Sequence, residues 1–273
     1  MKKFLSLALA LTMMVSLAAC GAKKEEAPAA APAASAPAAA EKATVYAVEA
    51  GSAGEAAALD AGFEIISVET QAAALMEVAA GTSDAAIIDS LMAGAMVGEG
   101  TSYPDLKCTD VKLTEELYGV ACRKGSNLAA YINSVFAEAY AAGTMQEIAT
   151  TYGVQEALVE QTADVIDLPT DGDVAYIVDK GTLIVGITDF APMDYKDDKG
   201  EWIGFDADMA RIVAEKMGVE IEFIEINWDN KVFELDGKAI DVVWNGMTLT
   251  DAMLEAAECS TAYCNNAQVV VTK

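Results

Sequence analysis

The chain has 273 residues, with 17 basic against 43 acidic side chains and a formal charge of −26. Binding a phosphate backbone needs clustered lysine and arginine, so this balance excludes a nucleic-acid partner. The sequence contains no histidine. That removes the commonest general base and the commonest metal ligand together, and no metal or cofactor is expected.

In chain order, Lys2 and Lys3 precede an apolar run over 4–17, and Leu17-Ala18-Ala19-Cys20 follows. A basic start, a short apolar stretch and small residues read as a secretory signal over 1–19. The run is short for a membrane span of about 20 residues. Its Leu-Ala-Ala-Cys ending resembles the lipobox of bacterial lipoproteins. That resemblance implies cleavage before Cys20, a lipid on its sulfur, and anchorage at the extracytoplasmic face of the cell membrane. Residues 20–42 are rich in alanine and proline, with little to bury, and read as an extended tether. Folded sequence is expected from residue 43.

From there strands and helices alternate. A strand at 44–48, a turn at Gly51 and Ser52, a helix at 53–60, a strand at 63–68, a helix at 70–80 and a buried strand at 85–88 make a βαβαβ unit, hence a parallel sheet. A candidate crossover strand at 118–122 leads to helices at 128–142 and 145–152. A polar connector over 155–173 carries Pro169 and Gly172. A second unit follows: strand 182–187, helix 205–217 closed by Gly218, strand 220–226, short helix 231–235, strand 240–244, helix 251–257 and strand 268–271. Residues 81–90 and 237–246 share one pattern, a glycine turn, an aspartate, an apolar strand and a polar residue at its carboxyl end. Two related lobes are expected. Cys108, Cys122, Cys259 and Cys264 fit no zinc spacing. A Cys259–Cys264 disulfide and a pair of free thiols both fit an exported protein.

The segments "GTLIVG", "APMDY", "GFDAD", the Trp228-Asp229 pair, "IDVVWNGMTLTD" and "NNAQVVVTK" resemble, in order, the first half of the type 2 periplasmic solute-binding proteins for polar amino acids. "VYAVEAGSAGEAA", "GTSDAAIIDS", "EELYGVACRKGSN" and "GTMQEIATTYG" resemble the second half. The resemblance implies an α/β fold of two Rossmann-like lobes with parallel-rich sheets, joined by a hinge. Because the family's second half comes first, the chain reads as circularly permuted, with one lobe at 43–117 and the other at 118–273. A single covalent crossover is expected near 118–122, with 269–273 as the remnant of the other.

The resemblance further implies the binding protein of an ABC importer. Its partners would be a small-molecule ligand (an amino acid or related amine), a transporter permease and the membrane, with the protein a monomer. Two other functions stay open: a ligand-sensing module uncoupled from transport, and a dehydratase-like enzyme, which the missing histidine and loop arginine oppose. By position in the motifs, Phe190 and Trp228 sandwich the ligand, and Asp189 reaches a polar side chain. Asn245, Gly246 and Thr248 give backbone and hydroxyl contacts. Ser52 and Ala53 meet the carboxylate at a helix N-terminus, and Asp89 takes the α-ammonium. One departure stands out. Where relatives carry a carboxylate-binding arginine this chain has Met253, and Glu49 stands where some have lysine. A charge-assisted pair of that kind contributes roughly 1.5–3 kcal/mol, so its loss points away from acidic ligands.

Overall fold

Residues 43–273 are described by a computed structural model. The expected signal segment, Cys20 and the tether lie outside the described residues. The chain opens with β1 (Val45–Glu49), α1 (Ala53–Asp60), β2 (Glu64–Val68), α2 (Gln71–Ala80), β3 (Ala85–Asp89), α3 (Ser90–Met96) and β4 (Lys107–Lys112). It continues through β5 (Glu116–Cys122), α4 (Leu128–Ala142), α5 (Thr144–Tyr152), α6 (Gly172–Lys180) and β6 (Thr182–Ile187). A small hairpin, β7 (Tyr195–Lys196) and β8 (Trp202–Ile203), precedes α7 (Phe205–Met217) and β9 (Glu220–Glu225). The last part holds α8 (Lys231–Asp236), β10 (Val242–Thr248), α9 (Asp251–Ala256), β11 (Glu258–Cys259), β12 (Cys264–Asn266) and β13 (Gln268–Thr272).

Two sheets organise these elements. The first runs β2-β1-β3-β13-β4, parallel across β2, β1 and β3 and antiparallel where β13 meets β3 and β4. The second runs β11-β5-β10-β6-β9, with β10, β6 and β9 parallel and β5 antiparallel to β10 and β11; β12 also pairs with β5. The parallel strands are apolar because helices cover both faces, as in β3, where all five residues are buried. Local signals set the helix ends. The Thr70 hydroxyl accepts from the Ala73 amide at 3.0 Å to start α2, and Gly81, at φ 79°, ends it. The core of the second lobe centres on Phe136, Phe205, Trp244 and Tyr263, whose rings pack at 5.5–5.9 Å between centroids.

The structure departs from the expected boundaries in several places. β4 and α3 stand where no element was expected. β4 reads Lys-Cys-Thr-Asp-Val-Lys and lies mostly exposed at a sheet edge, so it lacks the alternation of a half-buried strand. Next, α6 begins at Gly172, inside the expected connector; its cap, Asp171, makes no side-chain capping bond, so the usual start signal is missing. Finally, the crossover moves. Residues 118–122 lie within the second sheet, and the chain passes between sheets at 113–115 and again at Ala267. The two passages bond to each other: the Leu113 amide donates to the Gln268 carbonyl at 2.8 Å, and the Gln268 amide to the Thr114 hydroxyl at 2.9 Å. β13 is therefore a full strand of the first sheet rather than a remnant in the second. Its three consecutive valines fill the gap between β3 and β4. Cys108, Cys122, Cys259 and Cys264 are all free thiols.

Candidate functional site

In open parallel sheets, polar loops gather beyond the carboxyl ends of the strands. Here both sheets contribute such ends to one cavity of about 380 Å³, within the range of small-molecule sites. From the first lobe come Glu49, Gly51, Ser52, Ala53, Gln71, Asp89 and Gln268. From the second come Phe190, Trp228, Lys231, Asn245, Gly246, Thr248 and Met253. Eight of the nine residues singled out in the sequence thus share one wall-to-wall site.

Asp189 is the exception. It is exposed and outside the lining, beside Glu225 and Lys196. The reason is alternation along an extended loop: Thr188 and Phe190 turn inward and are buried, so the residue between them faces out.

Several lining residues are held differently from the sequence expectation. Asn245 has its whole amide engaged. Its oxygen accepts from the Thr188 amide and hydroxyl at 3.0 and 2.7 Å, and its nitrogen donates to the Thr188 carbonyl and Asp194 at 3.0 and 2.8 Å. Its side chain is scaffolding for the loop. The Thr248 hydroxyl donates to Glu116 at 3.0 Å. The Ser52 hydroxyl accepts the Glu55 amide at 3.0 Å as the cap of α1. Gly246 sits in a bulge of β10, where the register against β5 shifts between Val243 and Met247. It has φ 55° and donates its amide to Asp206 at 2.6 Å. Bulges of this kind re-aim the backbone beside a site. The Phe190 ring packs so closely on Gly246 that a Cβ there would lie 2.3 Å from Cε1.

Asp89 is not an unpaired acid. The side-chain amides of Gln71, Asn266 and Gln268 all donate to it, and its own amide donates to the Gln71 oxygen at 2.8 Å. These partners are neutral, so they solvate the carboxylate without neutralising it. Burial raises the Asp89 pKa to about 7, with the nearby Glu116 charge pushing the same way and the three amides opposing. Glu116 in turn accepts from Asn266 and Gln268, each at 3.0 Å.

Gln71, Glu55 and Lys231 are among the lining residues that carried no recognised signal as site residues. Gln71, the first residue of α2, reaches Asp89 and helps hold Glu49. Glu55 accepts the Gly51 amide at 2.8 Å. Lys231, 9% exposed, donates to the Trp228 carbonyl at 3.1 Å and, across the cleft, to the Gly51 carbonyl at 2.8 Å; its nitrogen lies 4.9 Å from the Trp228 ring centroid. Burial lowers its pKa, against the pull of Glu49, Asp229 and Glu55. The available signal was a lone lysine three residues after a loop tryptophan. Glu49, flagged in the sequence only as a departure, is 3% exposed, and its Oε1 is buried without a hydrogen-bond partner among the described residues. Burial raises its pKa to about 8, aided by Asp89 and opposed by Lys231, Gln71 and Thr188.

Comparison with known proteins follows the same line. Residues 183–273 match the family model described as bacterial extracellular solute-binding proteins, family 3. A probable amino-acid ABC transporter-binding protein of Haemophilus influenzae is 36% identical over 104 residues, which are 37% of this chain and 40% of that protein. The L-cystine-binding protein TcyA of Bacillus subtilis is 36% identical over 110 residues, 39% of this chain and 41% of that one. Among solved structures, an ancestral cationic amino acid solute binding protein (AncCDT-1) is 35% identical, covering 31% of this chain and 37% of its own, with a TM-score of 0.30. The chain thus spans about two fifths of the length of the first of these relatives.

Proposed function

We propose that the protein is a solute-binding protein of an ABC importer, taking up an amino acid or related small amine in the cleft between its two sheets. One observation carries this reading: a cavity at the strands' carboxyl ends whose wall is drawn from both lobes, with two aromatic side chains, Phe190 and Trp228, on one side and Asp89 on the other. Closure of two lobes about paired crossovers is the hinge motion that such a cleft uses. In this reading Ser52, Ala53, Asp89, Phe190, Trp228, Asn245, Gly246 and Thr248 surround the ligand, and Asp189 does not touch it. The permease is the macromolecular partner, and a lipid on Cys20 holds the chain at the extracytoplasmic membrane face. The lobe order is permuted. The family-like segment 183–273 follows residues 45–153, whose motifs resemble the family's other half.

The reading is binding rather than catalysis. A cyclohexadienyl dehydratase of Pseudomonas aeruginosa is 27% identical over 97 residues, so turnover is a real outcome of the test. The experiment is thermal shift of the full-length protein, in detergent, against amino acids, amines and small carboxylates, with each compound checked for conversion. The expected result is a concentration-dependent rise in Tm with some amino acids or amines, abolished by Asp89→Ala, with every compound recovered unchanged. Recovery of a dehydrated product moves the protein to the enzymes. No shift with any compound removes the solute-binding reading.

A further inference from the structure

The cavity wall is unusually acidic for a site that would hold an amino acid. Glu49, Glu55 and Asp89 line it, and Lys231 is the one lining cation among the described residues. That cation already donates to two carbonyls. Met253, at the place where an arginine would meet a carboxylate, adds only thioether surface. On the acidic side, Glu49 and Asp89 stand at the ends of neighbouring parallel strands, β1 and β3, and Gln71 bonds to both. Asp89 is ringed by amides, whereas Glu49 keeps one buried oxygen without any donor among the described residues. A buried acceptor left in that condition costs free energy until a donor reaches it.

We propose that Glu49 and Asp89 form a two-carboxylate seat for a cationic nitrogen of the ligand, which makes Glu49 the residue that selects cationic amines, and that binding expels a proton. The inference rests on the solute-binding reading and deepens it. A cationic nitrogen supplies the hydrogen-bond donor that Glu49 Oε1 lacks, and the Phe190 and Trp228 rings line the same cavity. The proton balance follows. Burial and the charge of Asp89 raise Glu49 to about 8, and burial raises Asp89 to about 7, so Glu49 keeps its proton to higher pH than Asp89 does. When an alkylammonium or guanidinium enters with its charge intact, the acid Glu49–COOH becomes the carboxylate, one O–H bond breaks, and the proton leaves to solvent. Glu49 faces Asp89 from β3 and Lys231 from α8, with Gln71 and Thr188 as its neutral partners. Asp89 faces Glu116 and Tyr118 from β5, with Gln71, Asn266 and Gln268. Lys231 faces Asp229 and Glu55 besides Glu49. The set sums to an acidic site with one committed cation.

The test is calorimetric titration of the full-length protein with L-arginine, L-lysine and putrescine, against L-glutamine, L-methionine and L-glutamate. Each is run at pH 6, 7 and 8 in phosphate and in Tris, whose ionisation enthalpies differ. The expected result is at least about tenfold tighter binding of a cationic ligand than of its neutral counterpart, a difference equivalent to roughly 1.4 kcal/mol. Affinity should rise with pH across this window, with release of roughly 0.5–1 proton per ligand at pH 7. Glu49→Gln should cut the cationic preference and reduce the release, while Glu49→Asp keeps more of both. Preference for a neutral or acidic ligand, or identical enthalpies in the two buffers, overturns the inference while solute binding stands. That comparison needs only the wild-type protein, so it holds even where a variant fails to fold. Absence of binding by all six compounds removes the solute-binding reading and this inference together.

Discussion

At the scale of single residues, the lip of the cleft turns on Gly51. It has φ 71°, and a Cβ built on it would lie 2.6 Å from the Cα of Asp229 on the other lobe. Its carbonyl accepts Lys231 from that same lobe. The glycine thus serves two needs, a left-handed turn between β1 and α1 and room for the opposite backbone. The two costs separate experimentally. An alanine in a left-handed conformation costs about 1–2 kcal/mol in any state of the cleft, whereas the overlap with Asp229 arises only when the lobes are together. Gly51→Ala is therefore expected to lower Tm modestly and weaken ligand affinity by a decade or more, with small-angle scattering showing a larger radius of gyration in saturating ligand. A variant that binds as tightly as wild type would mean that Gly51 and Asp229 do not meet in the bound form. Lys231 was not legible in the sequence because nothing local announces it. Its role depends on a carbonyl 180 residues away, and such a contact leaves no periodicity or spacing to read. Phe190 and Trp228 were singled out by their place in the motifs that carry the family resemblance, and both line the cavity.

At the scale of elements, β10 decides the shape of the cavity. The sequence led us to end this strand near 244 and pass into a turn. Instead the strand runs to Thr248 and bulges inside the sheet. Composition explains why the end was misplaced: Trp-Asn-Gly reads as a strand end followed by turn residues, yet partners distant in sequence carry the strand on. Asp206, at the start of α7, accepts the Gly246 amide, and the Tyr263 hydroxyl donates to the same oxygen at 2.7 Å. Thr188 and Asp194 hold Asn245. The parallel strands and their flanking helices were legible from alternation and glycine stops. The exposed edge strand β4 and the two crossovers were not, since they are set by pairing with β13. For Gly246→Ala, the positive φ and the 2.3 Å approach of Phe190 combine a strained backbone with overpacking, each about 1–3 kcal/mol. A fall in Tm of several degrees is expected, together with weakened binding as Phe190 is displaced. Unchanged values in both measurements would show that the bulge is not needed to seat that ring.

At the scale of the whole molecule, polar groups in the cleft wall and just behind it form one chain across the hinge. It runs from Thr248 through Glu116 to Asn266 and Gln268, then to Asp89, Gln71 and Glu49. Its carboxyls sit in a protein whose formal charge is already −26, with no arginine among the cavity-lining residues. Folding therefore carries a proton cost that depends on pH. Glu49 is raised to about 8 and Asp89 to about 7 by burial. Asp206 also rises to about 7 by burial, and Asp194 is raised by burial and by the charge of Asp206. Each of these groups holds its proton more tightly folded than unfolded. Between roughly pH 4 and pH 8 the folded chain binds more protons, and the slope of stability with pH is negative. The contribution is fully present below the unfolded carboxyl pKa and is lost as pH rises through 7 and 8. The ligand-free protein should thus melt at a higher temperature at pH 5.5 than at pH 8.5. Glu49→Gln removes one such group without changing its shape. It should raise Tm relative to wild type at pH 8.5, by about 1–3 kcal/mol of stability, or roughly 2–4 °C for each kcal/mol, and should flatten the curve between pH 7 and 8.5. A wild-type Tm that climbs from pH 5.5 to 8.5, or a variant whose curve parallels it, would show that Glu49 is ionised and compensated in the free protein. The proton that ligand binding is expected to displace would then not be there.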